Sequence, residues 1–385
     1  MTAVLDALAP IILTALLVIG GLAVWNLCLF RRAPRSSGDE DSVSILIPVR
    51  NEEANVEGAI RAACAQTART VEVVVLDDGS TDATPRLLAS LCVENPHLRV
   101  VGGRPLPSGW AGKAWACWQL ASAHARHDWL LFVDADLRLA PDAAARALAA
   151  ARTQSVAFLS AFPRQLVPTA GEALLVPLMY LLLVAYLPMA CIRWTRLPSL
   201  SAATGQFMLV RRTAYLAADG HRAVQGTLHD GIKLVRRMKA AGFRVGFVDG
   251  QDIATCRMYD GFRACWRGFT RNAYEALGSP VALAIMTTLN VTFFVLPFLA
   301  LPASLLLGGT PRPAATWAMA VSAVLILRTA LAWRFRYPWW TTLVTPVAIL
   351  ALIGLQCESA LRHWTGRSVV WRDRAYAGGE AVGKE

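Results

Sequence analysis

Lysine is nearly absent from this chain: of 38 basic residues, only Lys113, Lys233, Lys239 and Lys384 are not arginine. Charge of either sign is sparse, 17% of 385 residues, yet it leaves a net +11. No basic run with interleaved aromatics forms a nucleic-acid module, so the positive balance points to anionic lipid headgroups instead. None of the eight cysteines forms a CxxC pair. That pattern excludes a zinc ribbon and a thioredoxin-type centre, and the thiols read as reduced, buried and without chemistry. No repeat of fixed period is present, which excludes a solenoid. No basic segment precedes the first apolar run and no small-x-small site closes it, so a retained anchor is expected in place of a cleaved leader.

What the chain has in excess is apolar surface, 55% of its residues. Ala7 to Phe30 carries no charge and is long enough to cross a hydrocarbon core. Arg31, Arg32 and Arg35 follow it, which by the positive-inside rule places the next domain in the cytoplasm. A polar linker at 34–42 leads into alternating strands and helices. Strands are expected at Val43–Val49, Val71–Leu76, Leu98–Val101 and Trp129–Val133, with helices at Glu52–Gln66, Asp82–Cys92, Gly112–Arg126 and Pro141–Arg152. Continuous apolar strands between helices predict an α/β fold with a parallel sheet covered on both faces. Further on come a strand at Gln206–Arg211, a helix at Asp230–Ala241 ended by Gly242, and an alternating strand at Phe243–Val248.

The stretch Ala173–Ile192 is charge-free and of spanning length. If it crossed once, Asp134 and Asp136 would face one compartment and Asp230 the other. An interfacial segment at 169–192 is therefore expected, with the tips of Tyr180 and Tyr186 at headgroup depth. Tyr259–Ala276 is basic and aromatic, suited to a membrane surface. Ala276–Pro311, Ala314–Ile326 and Tyr337–Cys357 read as two or three further spans. The expected organisation is an anchor at 1–33, a linker at 34–42, a catalytic domain at 43–275, transmembrane helices at 276–358 and a basic tail at 359–385. The arginines of the tail favour the cytoplasm, whereas an anchor plus three further spans would put it on the other side.

Acidic clusters at strand ends carry the chemistry. Asp77 and Asp78 close one strand, Asp134 and Asp136 another, and Asp230 opens a helix. The C-terminal edge of an α/β sheet is where such a fold holds a phosphorylated ligand and a divalent metal. If Asp134 and Asp136 lie along a strand, alternation points both carboxylates the same way. That pair can grip Mg²⁺ or Mn²⁺ and leave positions open for phosphate oxygens. Pro48, Arg50 and Glu52 sit at a strand-to-helix turn able to line the base and ribose of a nucleotide. An ordinary capped turn, with Asn51 capping, is the alternative there. Lys113 follows a glycine turn and offers a compact ammonium suited to a diphosphate. Asp230 reads either as a helix cap or as a general base, and His229 beside it as structural.

Together PVRNEE (48–53), LDDGSTD (76–82), LPSGWAGKAWA (106–116), VDADLRLAPD (133–142), GQFMLVRR (205–212) and HDGIKLVRRMKAAGF (229–243) resemble family 2 glycosyltransferases of GT-A (Rossmann-like) fold. With RMYDGF at 257–262, the chain is similar to the membrane-bound branch acting on carotenoid or hopanoid-type lipids. The resemblance covers about residues 43–275. It implies nucleoside contacts from Asp77 and Asp78, a metal-diphosphate site at Asp134 and Asp136, and Asp230 as catalytic base. The implied reaction is inverting transfer of one sugar from a nucleotide-diphosphate sugar to a lipid acceptor, by a multi-pass protein of the cell membrane whose catalytic domain is cytoplasmic. Two departures stand out. His229-Asp230 replaces the family's usual Glu-Asp, and the Gln/Arg-x-x-Arg-Trp signature of processive synthases is missing. A processive polysaccharide synthase, a non-catalytic membrane scaffold and a nucleotidyltransferase remain the alternatives.

Overall fold

The computed structural model describes residues 2–35, 42–68, 70–227, 229–306, 311–366, 369–371, 374–377 and 380–381. Most of the expected linker at 34–42, Leu228 and much of the basic tail at 359–385 lie outside the described residues. In chain order the elements are α1 (Thr2–Leu29), β1 (Ser42–Val49), α2 (Val56–Cys64), β2 (Thr70–Asp77), α3 (Thr84–Glu94), β3 (Leu98–Gly102) and α4 (Gly112–Gln119). Then follow β4 (Trp129–Val133), β5 (Leu137–Leu139), α5 (Ala143–Gln154), β6 (Phe158–Gln165), α6 (Ala170–Leu175), α7 (Leu178–Tyr186) and α8 (Met189–Trp194). The remainder comprises β7 (Phe207–Arg211), α9 (Arg212–Ala217), α10 (Asp230–Ala240), β8 (Val245–Cys256), α11 (Gly261–Leu277), α12 (Pro280–Phe294), α13 (Leu296–Leu306), α14 (Pro311–Phe335), α15 (Thr345–Trp364) and the short strands β9 (Val369–Trp371), β10 (Arg374–Ala377) and β11 (Glu380–Ala381). The chain forms two compact units, one of residues 1–29, 167–188 and 259–365, the other of 30–166, 189–258 and 366–385.

The second unit is built on an eight-stranded sheet of order β3-β2-β1-β4-β7-β6-β8-β5. The parallel expectation holds for β1 with β2 and β4, and for β2 with β3. Beyond β4 it holds only for β6 with β8: β7 runs antiparallel to β4 and β6, and β5 antiparallel to β8, so the sheet is mixed. Apolar periodicity reports which face a residue buries, not the direction of its partner strand. β1 is buried through Val43–Ile47, as a strand flanked by parallel neighbours requires. Pro48, with no N–H to give, falls beyond Leu46, the last residue that β1 pairs with β4. Ile45, Ile47, Val73, Val75, Leu131, Val133, Leu209 and Ala147 belong to one buried core. α10 ends as expected: Gly242 takes φ 87°, and Phe243 N–H donates to Met238 O at 3.0 Å, closing the helix with a left-handed cap.

The first unit is helical. α1 buries Ala9, Ile12, Leu16 and Ala23 yet exposes Ile11, Leu17, Val18, Val24 and Trp25, an apolar surface all round. Asn26 is fully buried and donates Nδ2 to Val184 O at 2.8 Å and Leu187 O at 2.7 Å, satisfying carbonyls at the end of α7. Among the described residues two helices are long and apolar enough to cross a membrane, Ala7–Leu29 with mean hydropathy 2.5 and Pro311–Phe335 with 1.6. The bent pair α11–α12, folded by 113°, makes a third if counted as one span. The span expected over 276–311 is thus broken into α12 and α13, and 337–357 appears as a short 3₁₀ turn followed by α15. The stretch 173–192 is divided among α6, α7 and α8, none of crossing length, with breaks beside Pro177 and Pro188.

Candidate active site

β1, β2 and β4 are parallel, so Arg50, Asp77 and Asp134 stand at the same edge of the sheet, at or just past the C-terminal ends of their strands. Here the chain gathers two clusters of polar side chains.

The first cluster joins the turns after β1 and β2. Arg50 Nη1 donates to the carbonyls of Asp78 and Gly79, the latter at 3.0 Å. Asp77 Oδ1 accepts from Ser80 N–H at 2.9 Å and Ser80 Oγ at 2.6 Å, an Asx-type turn that Gly79 completes at φ 71°. Asp78 is buried, and its N–H donates to Val49 O at 2.9 Å. Asn51 does not cap α2, which begins at Val56. At φ 51° it turns its Oδ1 to Thr81 N–H at 2.8 Å and so ties the two loops together. Glu52 Oε2 accepts from Asn55 Nδ2 at 3.1 Å. Asp82 accepts from Thr84 N–H at 2.9 Å, one residue before the position expected of a cap on α3.

The second cluster is centred on Lys113, in the first turn of α4. Its Nζ lies 2.7 Å from Asp134 Oδ1 and 3.0 Å from Asp230 Oδ2, and donates to Gly205 O at 3.2 Å. A cation at a helix N-terminus opposes the dipole; two carboxylates offset that here. Burial works against the charge on Lys113, but Asp134 and Asp230 outweigh it and hold the ammonium above the ordinary lysine range. Burial, reinforced by Asp136 and Asp230, pushes Asp134 up to about 7 while Lys113 pulls the other way. For Asp230 burial is the largest influence and would raise it, yet Lys113 and His221 keep it well below the usual carboxylate range. Asp230 therefore stays ionised.

Asp134 and Asp136 do not lie on a pleated strand. They occupy a turn between β4 and β5, closed by Leu137 N–H donating to Asp134 O at 3.1 Å. The alternation argument for their common aim therefore gives way to turn geometry. Asp134 N–H is held by Gln206 O at 3.1 Å, and Gln206 Nε2 reaches the buried Cys256 Sγ at 3.0 Å. Asp230 is the first residue of α10, not its cap, which is His229. Its Oδ1 accepts from Gly231 N–H at 2.8 Å.

Two glycines make this closeness possible. A Cβ on Gly205 would meet Asp230 Oδ1 at 2.4 Å, and one on Gly231 would meet Gly205 N at 2.4 Å. Gly205 opens the GQFMLVRR stretch (205–212) already quoted from the sequence. Reading it missed His221, fully buried in a 3₁₀ turn over Gly220–Val224, whose Nε2 lies 3.9 Å from Asp230 Oδ2. Its segment, GHRAV, carries no motif that would have drawn attention.

Comparison with known proteins fits this architecture. The family model "Glycosyl transferase family 2" matches residues 44–175. The 4,4'-diaponeurosporenoate glycosyltransferase of Staphylococcus haemolyticus (strain JCSC1435) is 26% identical over 265 residues, covering 67% of this chain and 68% of the relative. Its namesake in Staphylococcus aureus (strain USA300) is 26% identical over 294 residues, covering 75% and 76%. Among solved structures, the mannosyltransferase PcManGT from Pyrobaculum calidifontis, in complex with GDP-Man and Mn²⁺, superposes with a TM-score of 0.54 at 17% identity. It covers 92% of this chain and 99% of its own, a likeness of fold. The chain therefore carries a family 2 glycosyltransferase domain on a GT-A fold, and it is a glycosyltransferase.

Proposed function

We propose that this protein transfers a single sugar, with inversion, from a nucleotide-diphosphate sugar to a lipid acceptor, with Asp230 as general base. The observation that carries the reading is the meeting of Asp134 and Asp230 on one ammonium, that of Lys113, at the C-terminal edge of the sheet. The names of the curated relatives support a lipid-type acceptor, and the GDP-Man and Mn²⁺ of the mannosyltransferase support a nucleotide-sugar donor with a divalent ion. The apolar helices support a membrane protein, and Arg31, Arg32 and Arg35 after α1 support a multi-pass chain with its catalytic domain in the cytoplasm.

The donor set suits such an ion. Among the described residues no three His, Cys, Asp or Glu side chains gather to hold a metal by themselves. Two hard carboxylates in one turn, with Asp134 partly open to solvent, suit Mg²⁺ or Mn²⁺, which take one or two carboxylates and fill the rest with phosphate and water oxygens. Asp134 and Asp136 would hold it, and when bound it would neutralise charge on the leaving diphosphate.

The chain's own groups do the remaining work. Arg50 and Glu52 in the turn after β1, with Pro48 near the end of that strand, and Asp77 and Asp78 at the end of β2 frame the nucleoside. Lys113 offers its ammonium to the diphosphate. Asp230 takes the acceptor hydroxyl proton as that oxygen bonds to the anomeric carbon. The bond to the phosphate oxygen breaks with its electron pair, and one displacement inverts the centre. General-base catalysis of this kind contributes about 10²–10⁴-fold.

The test uses purified protein in liposomes with labelled nucleotide sugar. Asp230→Asn is expected to bind donor as before and to lose transfer to a hydroxyl acceptor, and the product is expected to carry one sugar. Retained transfer would reject the base, and a ladder of longer products would reject single addition.

A further inference from the structure

We propose that His221, set by Tyr215, is the positioning residue that aims Asp230 at the acceptor; this rests on the reading of Asp230 as the base. Asp230 has one oxygen, Oδ1, anchored by the Gly231 N–H. The other, Oδ2, faces Lys113 at 3.0 Å and His221 Nε2 at 3.9 Å. Catalytic contacts often lengthen in a ligand-free protein and tighten with substrate; about 1 Å of movement would make this one a hydrogen bond.

The tautomer follows from proton counting. Tyr215 is fully buried, and its hydroxyl lies 2.8 Å from His221 Nδ1 while accepting the His221 backbone N–H at 3.1 Å. A phenol has one proton to give. Among the described residues His221 Nδ1 is the acceptor within reach of this buried hydroxyl, so that proton goes to Nδ1, leaving the imidazole N–H on Nε2. That nitrogen is buried without a hydrogen-bond partner among the described residues and is directed at Asp230. Burial favours the neutral ring over the pull of Asp230, so the contact is an N–H donor to a carboxylate and not a second ion pair.

Local structure is shaped to hold this arrangement. Gly220 takes φ 41°, and a Cβ there would stand 2.2 Å from the Tyr215 ring, so only glycine lets that ring lie beneath the turn. Phe132, at the end of β4, meets the imidazole edge-on with centroids 5.0 Å apart. Lys113 on α4 and Asp230 on α10 are the charged groups acting on the imidazole, with Tyr215 on α9 its polar neighbour. The departure from the family's Glu-Asp pair at His229-Asp230 gains a physical counterpart: support for the base comes from a distant turn.

The experiment compares His221→Phe, His221→Gln and Tyr215→Phe in liposomes, with donor affinity, acceptor KM and kcat measured separately. His221→Phe is expected to lower kcat about 10–100-fold, part of the general-base contribution, with donor affinity and acceptor KM within about twofold. His221→Gln, which keeps an N–H near the Nε2 position, is expected to recover most of that loss. Wild-type kcat in His221→Phe, a loss that glutamine does not recover, or a loss accompanied by weakened donor binding would overturn the proposal. Should His221→Phe fail to fold, Tyr215→Phe decides. It keeps the ring and removes the hydroxyl, both the proton that fixes the tautomer and the acceptor of the His221 N–H, and unchanged kcat there would overturn the assignment. Transfer retained in Asp230→Asn would instead remove the base itself, so the two failures are distinguishable.

Discussion

The carboxylate of Asp230 lies against the bare Cα of Gly205, so close that a Cβ there would fall 2.4 Å from Oδ1 and 3.2 Å from Lys113 Nζ. Gly205→Ala is therefore expected to displace the acid while leaving the sheet intact. Transfer should fall by about 10²-fold, as for misplacement of a reacting group by about 1 Å, with the midpoint of thermal unfolding little changed. Kinetics on the detergent-purified variant beside an unfolding scan check this.

Lys113 holds two carboxylates together, and its removal leaves both without their shared cation. Lys113→Met is expected to weaken donor binding at least tenfold. Its cost in stability is about 1–3 kcal/mol, below that of a fully buried pair because the lysine and Asp134 side chains are 20% and 24% exposed. Lys113→Arg is not expected to rescue, since a planar fork cannot replace a compact ammonium shared by Asp134, Asp230 and the Gly205 carbonyl. Titration with a fluorescent nucleotide sugar distinguishes these outcomes.

Asp136→Asn is expected to abolish metal-dependent donor binding. In the parent protein a chelator should weaken donor binding, and added Mn²⁺ or Mg²⁺ should restore it. In Asp136→Asn neither treatment should matter. Unchanged binding in the variant would remove Asp136 from the metal site.

His221 supplies a pH dependence. Burial lowers the proton affinity of the folded imidazole, so as pH falls below about 6.5 only the unfolded chain gains a proton there. The contribution is fully present above that value and is lost as pH falls toward the folded-state value. Asp134, raised on folding, acts in the opposite sense over the same range, so the check is a difference: between pH 7 and 5 the unfolding midpoint of the parent protein is expected to fall relative to that of His221→Gln.

Asn26 offers a test in the helical unit. Asn26→Leu leaves the carbonyls of Val184 and Leu187 without this donor in apolar surroundings. A loss of about 1–3 kcal/mol is expected, read as earlier aggregation on heating in detergent.

Much of this was legible in the sequence, for identifiable reasons. β1, β2 and β4 are uninterrupted apolar runs, and α10 shows its apolar stripe with a glycine stop, so these elements lie where patterning places them. Lys113, Asp134 and Asp230 were singled out separately, and the fold brings them together. The antiparallel course of β7 was hidden because pairing direction leaves no trace in an apolar strand. The turn at 134–136 was hidden because two acids separated by one residue look alike on a pleat and in a bend. His221 was invisible because its meaning depends on Tyr215 and Asp230, one turn and one helix away, and nothing local encodes that meeting.

The bend that carries Asp134 and Asp136 is closed by Leu137, and Leu137 is also the residue that β5 pairs with Cys256 of β8. The outermost rung of the sheet thus acts as a hinge pin for the acid pair. Drift at that rim would be felt as a change in how the two carboxylates diverge, so this periphery is less free to vary than its position suggests.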